Sequence, residues 1–265
     1  MPEFSKPVAL VTGASAGIGA VYADRLAARG YDLILVARRA DRLRALSGKL
    51  AAAHGTKVDI VEADLTKDAE VTRVEQVIRD NPAIALLVNN AGNSTLAPVA
   101  KTSEQDATAM VALNITALTR LTHAILPAFL ARNEGAIINV ASVLSFHALQ
   151  ISAIYSGTKG YVMNFSRGLQ QELADTNVQL QLVMPASTAT ELWDLSGVPL
   201  ASLNQAAVMS AENLVDAALV GFDKGEAITL PSVHDASLWD KFDEARTALF
   251  AATQTGEPAP RYRTA

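Results

Sequence analysis

Short aliphatic runs recur along the first 185 residues, at 8–11, 33–36, 58–61, 85–88, 136–140 and 178–184. Four of them are nearly all apolar, the pattern of strands covered on both faces in a parallel sheet. Segments with helical spacing lie between them. Ile18, Val21, Tyr22 and Leu26 follow i, i+3, i+4, i+8, and Leu43, Leu46 and Leu50 repeat at three and four. Thr102 with Gln105 three residues later predicts a capping box that opens a longer helix running to about Ala131. This alternation predicts a doubly wound α/β sheet with right-handed crossovers.

Beyond Pro185 the texture changes. Residues 187–204 read as loop or short helix with exposed Leu192, Trp193, Val198 and Leu200, and the stretch 187–210 is expected to act as a substrate lid. A helix over 211–222 and a last strand over 227–230 return to the main rhythm. Leu238, Phe242, Ala245 and Leu249 then place a narrow apolar stripe on a C-terminal helix over 235–253, before a frayed tail over 255–265. No repeat, low-complexity tract or linker interrupts the chain, so one domain is expected over 1–265.

Composition narrows the class. Half of the 265 residues are hydrophobic, 18% are charged and the mean hydropathy is +0.20, enough apolar surface to exclude disorder as the main state. Lys and Arg number 22 against 27 Asp and Glu, a net charge of -5, which argues against a nucleic-acid partner. With no cysteine there is no thiolate nucleophile or zinc–thiolate site, and no metal is expected. The start, Met1-Pro2-Glu3-Phe4-Ser5-Lys6, has no apolar stretch of the kind a signal peptide needs. Residues 135–158 lack Asp, Glu, Lys and Arg over 24 positions, yet nine of these are polar, so a membrane span is not expected there. The reading is a cytoplasmic protein with no membrane partner.

The first strand runs into Thr12-Gly13-Ala14-Ser15-Ala16-Gly17-Ile18-Gly19 and then the first helix. Glycines permit a sharp turn and close approach of backbone to a pyrophosphate, and the helix N-terminus offers free N–H groups. Further along come Asp64-Leu65, Asn89-Asn90-Ala91-Gly92, Asn114, Ser142, and Tyr155-x-x-x-Lys159 thirteen residues after Ser142. Together, in this order, they resemble the short-chain dehydrogenase/reductase family in its form of about 250 residues, over roughly 7–190. The resemblance implies a single Rossmann-type domain with a mostly parallel seven-stranded sheet flanked by helices on both faces. It also implies a nicotinamide cofactor and hydride transfer.

The residues make chemical sense of that implication. Tyr155 and Lys159 are one helical turn apart and share a face. A free tyrosine has a pKa near 10, and a nearby ammonium would favour the phenolate and lower it. By the resemblance, Tyr155 is the general acid or base, Ser142 holds the substrate oxygen, Lys159 also meets the nicotinamide ribose and Asn114 fixes a water. Asp64 and Leu65 would sit near the adenine, Asn90, Ala91 and Gly92 beside the ribose, and Pro185, Thr188 and Thr190 near the carboxamide. Asn89 is assigned to structure.

The chain also departs from the family pattern. Ala186 follows Pro185 where glycine is usual, which would be strained if that position needed positive φ, and Thr188 replaces an aliphatic residue. At the end of the second strand Ala37 stands where NAD-users place an acidic residue, and Arg38 follows. Arg38 is expected to clamp a 2′-phosphate, with Ser15 adding a hydroxyl and Arg39 and Arg42 adding positive potential, which selects NADP(H). Leu144, Phe146, His147, Leu149, Ile151, Leu192 and Trp193 are expected to line a substrate pocket suited to neutral, hydrophobic ketones, aldehydes or secondary alcohols. His147 is read as pocket wall rather than catalyst. A 3-oxoacyl carrier-protein reductase is the rival, set back by Ala136 and Gln171 where such relatives carry arginines. A non-catalytic NADP-binding sensor or scaffold is the other alternative. Met110, Leu113, Ala117 and Leu121, with Val162, Phe165 and Leu169, suggest helix faces that pair in a homodimer or homotetramer.

Overall fold

Strand β1 (Val8–Thr12) shows how the core is built, because successive side chains leave opposite faces of a sheet. Val8 and Leu10 enter one hydrophobic cluster and Ala9 and Val11 the other, all of them fully buried. Burying a side chain of the size of Leu10 contributes roughly 1.5–3 kcal/mol. The other strands repeat this: β2 (Asp32–Ala37), β3 (Val58–Glu62), β4 (Ile84–Asn89), β5 (Gly135–Val140) and β6 (Val178–Val183). A two-residue pair, β7 (Thr188–Ala189) with β8 (Met209–Ser210), stands apart, and β9 (Ile228–Thr229) completes the main sheet. The computed structural model describes residues 6–263. Residues 1–5 of the segment read for a signal peptide and the last two residues of the expected tail lie outside them.

The main sheet has seven strands in the order β3-β2-β1-β4-β5-β6-β9, every pairing parallel. Helices α1 (Gly17–Ala28), α2 (Ala40–His54) and α8 (Ala211–Asp223) bury Tyr22, Leu26, Leu43, Leu50 and Leu214 in one cluster. Helices α3 (Asp68–Arg79), α5 (Leu118–Arg132) and α6 (Ala153–Glu172) cover the other face. The chain leaves β1 toward β2 on one side while β4 lies on the other. Their carboxyl ends therefore open a crevice at the point where the order reverses, the usual ligand position in such sheets.

Three expectations shift. Helix α3 has a buried face of Val71, Val74 and Ile78 that the sequence pattern left unread. The helix after β4 is capped by Ser103, whose side chain accepts from Asp106 N, rather than by Thr102. It runs as α4 (Glu104–Val111), a π-helical turn (Ala112–Ala117) and α5. By length and composition this helical run, Glu104–Arg132, is apolar enough to cross a membrane. Met110, Ala117, Leu121, Ile125 and Phe129 are nevertheless buried in the protein itself. Finally, Leu192, Trp193, Val198 and Leu200 are half-buried rather than exposed. Leu195, on the short helix α7 (Leu192–Ser196), is the one left 71% exposed.

The chain divides into two compact units, one reaching Pro231 and one starting at Ser232. The second holds α9 (Ser237–Ala252), which buries none of its residues and packs the Trp239 and Phe242 rings at 5.3 Å, and then an exposed tail with a 3-10 turn at Pro260–Tyr262.

Candidate active site

Backbone conformation builds the entrance to the crevice. Gly13 and Gly17 take φ of 68° and 54°, which L side chains rarely adopt, so β1 can turn into α1 within five residues. A side chain on Gly19 would collide with the Gly13 carbonyl and the Asn90 amide. The N-terminus of α1 has no side-chain cap and no acidic residue in its first turn, so its N–H groups remain free toward the cleft. Thr12 then ties β1 to β4. Its Oγ1 accepts from Asn90 N and Ala91 N, both at 3.0 Å, and donates to Val88 O. Asn89 has the structural place expected of it, donating to Thr122 Oγ1 and Asn139 Oδ1, while Asn139 donates to Ser166 on α6.

Three elements bring the candidate side chains together. Ser142 follows β5, and its Oγ accepts from Leu144 N and hydrogen-bonds Tyr155. Tyr155 and Lys159 stand on α6, with the ammonium 5.8 Å from the tyrosine ring centre. Lys159 is buried and donates to Val140 O at 2.9 Å. Asn114 occupies the π turn, where its Oδ1 accepts from Asn93 N and its Nδ2 donates to Asn93 O and Thr158 Oγ1. Gly92 lies where these meet: a Cβ there would be 3.3 Å from Asn114 Oδ1 and 3.6 Å from Lys159 Nζ. Burial pushes the Tyr155 phenol up to about 12, with the Ser142 hydrogen bond pulling partway back. Burial also draws the Lys159 ammonium down to about 8.

Ser142, Tyr155, Lys159 and Gly92 face one cleft of about 580 Å³, while Asn114 lies buried behind its wall. Every residue expected at the cofactor lines the cleft except Gly19, which packs beneath the turn, and Arg42, which stands behind Arg39 on Glu191. Ala186 has no positive φ among the described residues, so it fits where glycine was the expected residue. Asp64 binds Thr66 through N and Oγ1. Although burial opposes it, the Thr66 hydrogen bonds and the Arg38 charge hold its carboxyl below the usual range. Of the expected pocket residues, Leu144, Leu149, Leu192 and Trp193 line the cleft, whereas Phe146, His147 and Ile151 do not. The chain after the Val143–Ser145 turn swings outward and leaves Phe146 40% exposed. Asn93, Ser94, Leu96, Leu113, Leu195, Ser196 and Glu191 line it unforeseen. A hydrogen bond from Leu96 N to Ser196 O joins the loop after β4 to the end of α7, a hundred residues apart in sequence, which no local signal announces.

The fold agrees with the comparisons. Residues 7–197 match the family described as short chain dehydrogenase. Among solved structures, a short-chain dehydrogenase from Sphingobium yanoikuyae in complex with NADPH is 42% identical, with TM-score 0.94 over 97% of this chain and 100% of its own. A bulky-bulky ketone specific alcohol dehydrogenase from Comamonas testosteroni is 37% identical, with TM-score 0.90 over 97% of this chain and 99% of its own. A very-long-chain 3-oxoacyl-CoA reductase of Pyrenophora tritici-repentis is 33% identical over 190 residues, 69% of this chain. The chain spans 55% of that relative's length. This chain belongs to the short chain dehydrogenase family.

Proposed function

We propose that the protein is an NADP(H)-dependent oxidoreductase that interconverts bulky, neutral, hydrophobic ketones and their secondary alcohols. The observation that carries this is the convergence of Ser142, Tyr155 and Lys159 on one cleft beside a glycine turn, with Asn114 buried behind Gly92 next to Lys159. The turn fits a pyrophosphate: it lacks side chains where backbone must approach, and it ends at an uncapped helix N-terminus. Arg38, Arg39 and Ser15 line the same end and suit a 2′-phosphate. The NADPH held by the Sphingobium relative supports this cofactor.

When bound, the nicotinamide supplies or accepts the hydride at the carbonyl carbon. Ser142 holds the substrate oxygen, and in reduction Tyr155 gives its phenolic proton to that oxygen. Lys159 stabilises the resulting phenolate, and Asn114 holds the 93–94 backbone that walls this end. The substrate end is lined by Leu96, Leu144, Leu149, Leu192, Trp193 and Leu195, with Asn93, Ser94 and Ser196 as polar groups beside Ser142 and Tyr155, and no cation besides Lys159. A charged substrate buried there would lose hydration without a partner. The bulky-ketone preference of the Comamonas relative supports the same reading, as does its coverage of nearly the whole chain. The Pyrenophora relative favours one competing substrate class, 3-oxoacyl thioesters. The complete tetrad disfavours a non-catalytic sensor or scaffold. A cytoplasmic homo-oligomer is the accompanying expectation.

A panel of aryl ketones, small keto acids and 3-oxoacyl thioesters, run with NADPH and NADH, tests this. Fast NADPH-linked turnover of aryl ketones is expected, with Tyr155→Phe lowering kcat by at least about 10²-fold while NADPH still binds. Turnover confined to keto acids or thioesters, or an active Tyr155→Phe enzyme, would overturn it.

A further inference from the structure

The glycine turn and the segment after β7 are joined by charge. Arg39 donates to Ser15 Oγ through Nε and Nη2 at 3.2 and 3.1 Å, and to Glu191 Oε2 through Nη1 at 2.8 Å. Arg42 Nη1 donates to the other carboxylate oxygen at 2.5 Å. The three charged side chains are 43 to 49% exposed, so burial does not lock the pairs in place. Glu191 and Asp64 are the carboxylates on the cleft wall, and Asp64 is engaged by Thr66. Two guanidiniums against one carboxylate leave the Glu191 cluster with one positive charge in excess. The guanidinium already seated on the Ser15 hydroxyl is that of Arg39. Arg38, the expected clamp, lies exposed with its field on Asp64.

We propose that Glu191 is a cofactor-selectivity residue: its carboxylate occupies Arg39 and Arg42 as an internal stand-in for the 2′-phosphate, and the phosphate must displace it. The proposal rests on the NADP(H) reading above. A phosphate carries about 1.5 to 2 negative charges at neutral pH and three strong acceptor oxygens, so it wins against a single carboxylate. The contest nevertheless costs affinity, and only for ligands that carry the phosphate. Glu191 begins the short segment holding Leu192, Trp193 and Leu195. Arrival of the phosphate thus also frees one anchor of the wall that faces the substrate.

Calorimetric titration with 2′,5′-ADP and 5′-AMP, which differ by that phosphate alone, tests the competition at low ionic strength. NADPH serves as a third ligand. In Glu191→Gln, 2′,5′-ADP and NADPH are expected to bind about 3- to 10-fold more tightly, with 5′-AMP changed less than about twofold. In an Arg39→Ala, Arg42→Ala background the same substitution should bring no gain, because the contested groups are gone. Unchanged or weaker 2′,5′-ADP binding in Glu191→Gln overturns the proposal. So does equal tightening of 5′-AMP, or a gain that survives without the arginines. If the wild type does not itself distinguish 2′,5′-ADP from 5′-AMP, the NADP(H) reading fails first and the role of Glu191 with it.

Discussion

Tyr155 and Lys159 change each other less than their surroundings change both. From sequence, the neighbouring ammonium should favour the phenolate. In the folded chain desolvation dominates and pushes the phenol the other way, up to about 12, while the lysine falls to about 8 from its ordinary 10.5. The phenol is therefore protonated at neutral pH, the form the proposed reduction needs, but as a weaker acid than a free tyrosine. The lysine shift also has a stability consequence of definite sign. Between about 8 and 10.5 the unfolded chain binds the Lys159 proton and the folded chain does not, so stability rises with pH across that window. Tyr155 opposes this only above its unfolded value of 10, where the folded chain retains a proton that the unfolded chain loses. Denaturant titrations of wild type and Lys159→Met should therefore show the wild type gaining on the variant as pH climbs from about 8 to 10. A difference that stays flat would mean the lysine is not desolvated. The identity of this pair was legible from its spacing; the direction of its shifts was not, because burial is a property of the packed site.

At the scale of elements, the site depends on two local irregularities. One is the π turn at Ala112–Ala117, which interrupts an otherwise long helix and sets Asn114 against the Asn93 backbone. Its sequence reads as ordinary helix, and only packing against α6 through Thr158 marks the register change. The other is the glycine turn. Gly13 and Gly17 need glycine for φ, but Gly19 needs it for space, since it sits in a helix where φ is ordinary. Gly19→Ala would press a methyl group into the Gly13 carbonyl and the Asn90 amide. We expect it to cost about 1–3 kcal/mol of stability in chemical denaturation and to weaken cofactor binding, as overpacking against backbone does. Gly48→Ala, with nothing within 4 Å of the added methyl, is the control that should be neutral or stabilising. Equal behaviour of the two would refute the steric account.

For the whole molecule, the apolar repeats expected to serve both sheet and partner are largely consumed by the core. Met110, Ala117, Leu121, Val162 and Leu169 are buried within the unit that reaches Pro231. What α4, α5 and α6 leave outward is smaller: Val111 at 44% exposure, Leu130 at 44%, and Tyr161 at 38%, stacked on Phe165 at 5.8 Å. We expect a dimer or tetramer by light scattering at micromolar concentration, with Val111→Glu shifting it toward monomer by placing a charge on that face. A monomeric wild type would contradict the association.

Strand–helix alternation, the parallel sheet and the order of the tetrad were all set by local patterning, because side-chain periodicity and glycine turns act over a few residues. Helix α3 escaped that reading because its buried face alternates with charge. Which further residues line the cleft was decided only by tertiary structure. Phe146 and His147 follow a turn that points them to solvent, while Leu96 from the loop after β4 meets Leu195 and Ser196 of α7 through a backbone hydrogen bond. The pairing of Glu191 with Arg39 and Arg42, about 150 positions away, has the same origin. Charge attraction requires proximity, and proximity across that span exists only once the sheet has ordered both loops at one end.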